Sequence, residues 1–151
     1  MSDLIATHYG ITPMTPETID RVSQYESELA KLPQVDMPTH HVIHGGMYAR
    51  TIRIPAGVDI TGAQIKLATI VIVNGHVLVA VEGGTLELEG YHVLPASKGR
   101  KQAFRAIADT DVTMIFPTNS NTVEACEWEF TDDADRLMSR QCENTVVITG
   151  E

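Results

Sequence analysis

The sequence predicts an all-β domain, an antiparallel barrel or sandwich preceded by one amphipathic helix. Three observations carry this. From Met37 onward, alternating or β-branched apolar runs are repeatedly cut by Gly, Pro and Asn. About eight such runs follow at close spacing with no helical period between them, which argues against a parallel sheet with crossover helices. The N-terminal segment instead spaces its apolar residues by three and four.

That segment, "TPETIDRVSQYESELAKLP", places Thr15 as N-cap, Pro16 at the first helical position, Glu17 in the first turn and Pro33 as the stop. Ile19, Val22, Tyr25, Leu29 and Leu32 fall on one face. Such a helix lies on something, either the domain's own sheet or a neighbouring subunit.

Of the strands, "MYARTIRIPAG" alternates and stops at Pro-Ala-Gly, "LATIVIVNG" ends at Asn74-Gly75, and "HVLVAVEGG" ends at Gly83-Gly84. The two glycine-bearing pairs predict two hairpins. "TLELEG", "YHVLPASKG", "KQAFRAIAD", "DVTMIFPT" and "VEACEWEF" complete the strand set. "TDDADRLMSR" then reads as a short helix with Thr131 as N-cap and acids in its first turn, and "NTVVITGE" as a last strand.

The length of 151 residues suits one domain, and 43% hydrophobic with 21% charged residues suits a globular one. No apolar run approaches the roughly 18 to 20 residues that span a bilayer. "MSDLIATHYG" lacks the marks of a signal peptide, so the protein is expected to stay where it is made. Cys126 and Cys142 are too few for a disulfide framework and indicate a reducing compartment. The formal net charge of −9 argues against general nucleic-acid binding, which needs a basic face. Residues 121–151 hold eight acidic side chains against Arg136 and Arg140. This is a solvated acidic face, or it meets the basic loop "SKGRKQAFR", with Lys98, Arg100, Lys101 and Arg105, across a contact between protomers.

"YARTIRIPAGVDITG", a buried strand, "NGHVLVAVEGGTLELEGYHVLPASKGRKQAF" and "DTDVTMIFPT", in that order, resemble the cupin superfamily. With "LPQVDMPTHHVIHGGMYAR" ahead of them, the stretch from Leu32 to Thr118 is similar to the small cupin-like proteins of tailed phages and prophages. The resemblance implies a cupin-like antiparallel jelly-roll barrel at 37–130, after an N-terminal arm and amphipathic helix at 1–36 and before a C-terminal helix and strand tail at 131–151. Metal-dependent cupins converge histidines and one carboxylate on an ion, a set that suits manganese, iron, nickel or zinc. Counting back from Gly75 puts the glutamate position on Ala68 and the first histidines on Gly62 and Gln64, or on Thr61 and Ala63. Counting forward from Gly99 puts the last histidine on Gln102. Phage-type variants carry histidines where this chain has Ile65 and Thr69. The resemblance therefore implies no metal and no cofactor here.

His40, His41 and His44 stand ahead of the sheet with no carboxylate near them, and read as histidines with local hydrogen bonds rather than ligands. No Gly-x-Ser-x-Gly elbow or Walker loop is present, and Gly45-Gly46 and Gly83-Gly84 read as turns. Lys66, Arg100, Arg50 and His92 are the candidate ligand-binding residues, set at the barrel mouth to meet an anion, with Lys101 beside them.

The leading expectation is a non-enzymatic phage-type assembly protein, a virion component such as a capsid decoration or cement protein. Its two arms, the N-terminal helix and the tail ending in "TVVIT", suit self-association as a dimer or higher multimer. Its expected partners are copies of itself and phage capsid or tail proteins, without membrane or nucleic acid. The expected place is the host cytoplasm or the virion. Two alternatives stand: a metal-free cupin that binds a small anionic molecule, and a cupin-type enzyme with an unconventional site gathering His92, Tyr48 and Asp111.

Overall fold

The computed structural model describes residues 10–151. Helix α1 (Pro16–Leu29) is followed by strands β1 (Thr39–His44), β2 (Met47–Ile54), β3 (Asp59–Thr61), β4 (Thr69–Val81), β5 (Gly84–Ala96), β6 (Ala103–Ala106) and β7 (Thr110–Pro117). Helix α2 (Val123–Phe130), two 3-10 turns (Ala134–Arg136 and Met138–Arg140) and strand β8 (Asn144–Ile148) complete the chain. The strands form one curled sheet in the order β3-β6-β4-β7-β2-β1-β8, with β5 also paired to β4. All pairs are antiparallel except β1 with β8. The fold is all-β, as expected, a curled sheet with an N-terminal helix and a C-terminal extension.

The curl originates in β4. Along one edge it pairs with β5 over its whole length. Along the other it pairs with β7 from Ile70 to Asn74 and with β6 from Val77 to Val79. The change of partner falls at Gly75, where Thr110 enters: its Oγ1 accepts from the His76 N–H at 3.0 Å and donates to the Ala108 carbonyl at 2.8 Å. A Cβ on Gly75 would stand 2.5 Å from Thr110 Oγ1 and 2.7 Å from the Asp109 carbonyl oxygen, and its φ is +148°. Asn74-Gly75 is therefore a fork within one strand and not the expected hairpin turn. In consequence "TLELEG" and "YHVLPASKG" are one strand, β5, with Gly90 directly opposite Gly75.

Two further expectations are corrected. "VEACEWEF" is helix α2, because Thr122 caps it by accepting from the Ala125 N–H at 3.2 Å and the helical spacing gathers Val123, Cys126 and Phe130 against the sheet. The competing alternation of Cys126, Trp128 and Phe130 leaves Trp128 on the surface, 42% exposed. "TDDADRLMSR" forms two 3-10 turns instead of one helix, since Leu137 between them is extended. Thr131 closes α2 in extended conformation instead of opening a new helix.

Helix α1 begins as the sequence predicts, with Thr15 Oγ1 accepting from the Thr18 N–H at 3.2 Å. It lies on its own domain. Val22 and Thr18 are buried, Tyr25 donates to Asp59 Oδ2 at 2.7 Å, and Leu32 lies beyond the helix and is exposed. The C-terminal arm also folds back on its own chain, as β8 beside β1.

Apolar burial is divided between two clusters. Val71, Val73, Val77 and Val79 of β4, with Leu88, Leu94, Phe104 and Val112, fill the barrel. Tyr48, Phe116, Cys126, Phe130 and Leu137 join the sheet to the C-terminal extension. Fully burying each such side chain contributes about 1.5–3 kcal/mol.

Candidate functional site: a barrel cavity floored by Arg100 and Gln102

A cavity of about 580 Å³ opens into the barrel. Ile52, Ile60, Val71, Phe104, Val112 and Met114 line its wall. The segment after α1 and the turn residues Leu137 and Met138 form its rim.

The polar floor comes from the loop between β5 and β6. Gly99, in a left-handed conformation at φ +78°, lets this loop pair with Ile65, whose N–H donates to the Arg100 carbonyl at 2.7 Å and whose carbonyl accepts from the Gly99 N–H at 2.8 Å. This anchors Arg100 with only 1% of its surface exposed. Its guanidinium is satisfied by neutral acceptors throughout. Nε donates to Gln102 Oε1 at 3.1 Å, Nη1 to the Ser97 carbonyl at 2.7 Å and, at 3.4 Å, to those of Ala96 and Leu67. Nη2 donates to Thr69 Oγ1 at 2.9 Å and Met114 Sδ at 3.8 Å. Among the described residues no carboxylate pairs with it. Burial draws its pKa down to about 10, so it remains a cation at neutral pH.

Gln102 is 6% exposed and lines the same cavity. Because its Oε1 takes the Arg100 Nε–H, the amide cannot flip without setting donor against donor. Its Nε2 is thereby fixed as a buried donor, and no partner meets it among the described residues. Such a group costs about 1–3 kcal/mol when left unsatisfied.

Of the other cations of the lining, Arg50 and Lys101 are matched, while Arg136 is exposed. Arg50 donates to Glu127 Oε2 at 3.0 Å and Ser139 Oγ at 2.9 Å, with its guanidinium 5.4 Å from the Phe130 ring centre. Lys101 Nζ reaches Glu26 Oε2 at 3.1 Å. The structure thus gathers two of the four expected ligand-binding residues, Arg100 and Arg50, and not the others. Lys66 follows the inward-facing Ile65, so it points outward and pairs with Asp132 at 2.6 Å. His92 sits on β5 opposite Val73, its Nε2 accompanying the Glu89 carbonyl at 2.7 Å, and it does not line the cavity. The basic loop is not a surface patch either, since Arg100 and Lys101 are buried and Arg105 forks onto Asp59 at 2.7 and 3.1 Å.

The metal of the superfamily does not fit this floor. Of the positions at which the resemblance places ligands, Ile65 is buried hydrocarbon, while Thr69 and Gln102 both hold the Arg100 guanidinium. A divalent cation between them would stand against a fixed positive charge. Among the described residues no group of three or more His, Cys, Asp or Glu side chains is placed to hold an ion. The histidines near the start of the sheet are divided by strand alternation: His41 points inward, while His40 and His44 point outward. His44 Nδ1 meets Thr149 Oγ1 at 2.7 Å.

His41 belongs to a second polar cluster that fastens the C-terminal extension. Asn144 Nδ2 donates to the carbonyls of Ser139 and Cys142, at 2.6 and 2.9 Å, which leaves its Oδ1 to accept from His41 Nε2–H at 2.8 Å. His41 Nδ1 therefore accepts from the Tyr48 hydroxyl at 2.6 Å. Burial lowers the His41 pKa and pushes that of Tyr48 up to about 12, so both are neutral at pH 7. Tyr48, His92 and Asp111 do not meet: none lines the cavity, and Asp111 pairs with Arg53 at 2.9 Å.

No protein-family model matches this chain, and no curated protein matches it. Solved structures with a similar trace include cupin-domain proteins. A cupin-2 domain protein from Shewanella frigidimarina is 12% identical over 62% of this chain and 91% of its own, with a TM-score of 0.44. A cupin superfamily protein from Desulfitobacterium hafniense is 9% identical over 60% of this chain and 86% of its own, at 0.46. Salicylate 1,2-dioxygenase from Pseudoaminobacter salicylatoxidans is 19% identical over 67% of this chain but 33% of its own, at 0.42.

Proposed function

We propose that this protein is a cupin-type small-molecule binder that works without a metal and takes an anionic ligand into the barrel. The observation that carries this is the floor of the cavity: a buried donor, Gln102 Nε2, with no acceptor, beside a buried cation with no carboxylate among the described residues. A folded chain that buries both without a ligand bears two costs that an anion removes together. The cavity's volume of about 580 Å³ falls within the roughly 300–1,000 Å³ of small-molecule sites. The test is thermal stability of the full chain against a broad set of small anions and neutral compounds. Binding raises the midpoint in proportion to occupancy. No shift with any member would remove this reading.

A second reading, the phage-type assembly protein, rests on the outer face of the sheet. Strand register lines up Pro95, Ile70, Ile115, Ala49, Val42 and Val147 as one apolar row across the outer face, with Ile70 49% and Val147 46% exposed. Beyond β8 the sheet has no further strand among the described residues. A second copy of the chain would cover such a row, and a virion component is the phage-type use of it. The native mass in solution tests the first step, and protein analysis of purified particles the second. A monomer whose mass does not change with concentration, absent from particles, would end this reading.

A further inference from the structure

The identity of the ligand follows from what the cavity floor offers and what it withholds. This step rests on the reading of the cavity as a binding site and names the chemistry that it selects.

The strand-borne part of the wall, from Ile52, Ile60, Val71, Phe104 and Val112, is hydrocarbon and aromatic, so the body of the ligand is apolar. The floor supplies one uncommitted NH2 group, on Gln102, and a positive field without a carboxylate partner, from Arg100. What it withholds is a fork of donors. Phosphate and sulfate sites present several N–H groups together, from a helix N-terminus or from a guanidinium free to bind through two nitrogens. The guanidinium of Arg100 cannot do this, because Thr69, Ser97 and Gln102 already hold its three nitrogens. Arg50 is likewise held by Glu127 and Ser139, and Arg136, the third arginine of the lining, is exposed to solvent and not part of the buried floor. One amide NH2 and one unit of compensating charge match a single carboxylate.

We propose that the cavity binds a monocarboxylate with an apolar body, one carboxylate oxygen accepting from Gln102 Nε2–H while the Arg100 guanidinium behind it supplies the counter-charge. Arg100 acts through the amide: it fixes which end of Gln102 faces the ligand and makes that end electrostatically positive. Thr69 and Met114 position Arg100 in turn.

The experiment is calorimetric titration of the full chain with acid and alcohol pairs of matched body, namely hexanoate and hexanol, octanoate and octanol, and phenylpropionate and phenylpropanol, with octyl phosphate alongside. The expected result is that the acid of at least one pair binds about tenfold or more tighter than its alcohol, the range of one charge-assisted hydrogen bond. Octyl phosphate binds no tighter than octanoate. Gln102→Leu brings the acid down to the level of its alcohol. Gln102→Glu places a counter-anion against the Arg100 Nε–H, and abolishes acid binding while sparing the alcohol.

Alcohols that bind as tightly as their acids would overturn the carboxylate assignment and leave the cavity reading standing. Octyl phosphate tenfold tighter than octanoate would overturn it in favour of a phosphate. No binding by any member of the panel overturns the carboxylate assignment; the broad thermal screen separately decides whether the cavity takes a ligand at all. Unchanged acid binding in both Gln102 variants would show that the residue assigned here is the wrong one.

Discussion

Gln102 Oε1 lies 3.1 Å from Arg100 Nε, and that single contact turns the rest of the amide, on a residue that lines the cavity, into a buried donor with no acceptor among the described residues. Gln102 is the position at which the resemblance places the last histidine. Replacing the amide by a carboxylate should raise stability and lower affinity together. Gln102→Leu removes the unsatisfied amide donor but strips the buried Arg100 Nε–H of its acceptor, and is expected to cost the ligand-free protein about 1–2 kcal/mol. Gln102→Glu adds the missing charge partner and is expected to gain about 1–3 kcal/mol. Urea midpoints of the ligand-free chain measure both. A loss of stability in Gln102→Glu would mean that the amide is already satisfied.

Gly75 is the second position where a small residue decides the architecture. Gly75→Ala drives a Cβ into Thr110 and the Asp109 backbone, at a conformation that L side chains rarely adopt, and is expected to cost about 2–4 kcal/mol. Gly90 opposite it has a φ of +92° but open space around its Cβ, so Gly90→Ala should cost only the backbone strain, about 1–3 kcal/mol. Denaturation of the two variants side by side should rank Gly75→Ala as the worse. The reverse order would place the stress of the fork on β5.

These two sites show what the sequence could and could not convey. The start of α1 was legible because its signal is local: Thr15, Pro16 and the apolar spacing act within a few residues. Asn74-Gly75 carried an equally local turn signal and misled, because the fork is created by Thr110, which arrives from a distant strand. In "VEACEWEF" both periods fit, and only the packing of Cys126 and Phe130 on the sheet selects the helix. Arg100 was legible as a cation but not as a buried one, since its burial depends on the pairing of Gly99 with Ile65. Gln102 was missed as a functional residue although the counted motif landed on it, for an amide is no metal ligand and its donor becomes exceptional only when Arg100 occupies the oxygen. Lys66 failed for the converse reason, as the inward turn of Ile65 sends it to the surface and to Asp132.

Glu127 anchors the C-terminal extension. It is 3% exposed and accepts from Arg50, Ser139 and Arg140, at 3.0, 2.9 and 3.1 Å. Glu127→Gln keeps the shape but removes the charge facing two arginines, and is expected to cost about 3–5 kcal/mol, the range for breaking a buried ion pair from one side. Amide hydrogen exchange locates the damage. The N–H groups of α2 and β8 should lose protection before those of β4 and β5, because only the former depend on this network. Uniform loss across the sheet would show that the extension and the barrel unfold as one unit.

His41 gives the molecule a pH dependence of known sign. Its folded pKa is depressed, mainly by burial and further by the Arg50 charge, while Asn144 and Glu127 act in the opposite direction. Between the folded pKa and the ordinary value near 6.5, the unfolded chain binds a proton that the folded chain refuses. Stability from this group is therefore complete above about pH 6.5 and falls as the pH drops through that value toward the folded pKa. The geometry gives the same sign: protonation would set His41 Nδ1–H against the Tyr48 hydroxyl, which now donates to it and has Arg50 Nη1 on its other side at 3.5 Å. The expected result is a denaturation midpoint that declines from pH 7.5 to pH 5.5 in the native chain and declines less in His41→Gln, whose side chain does not titrate. The difference between the two slopes isolates His41 from the exposed His40 and His44 and from the carboxylates, which both proteins share. Equal slopes would mean that His41 accepts its proton as readily folded as unfolded, and that the neutral pair with Tyr48 is not what holds β1 to β8.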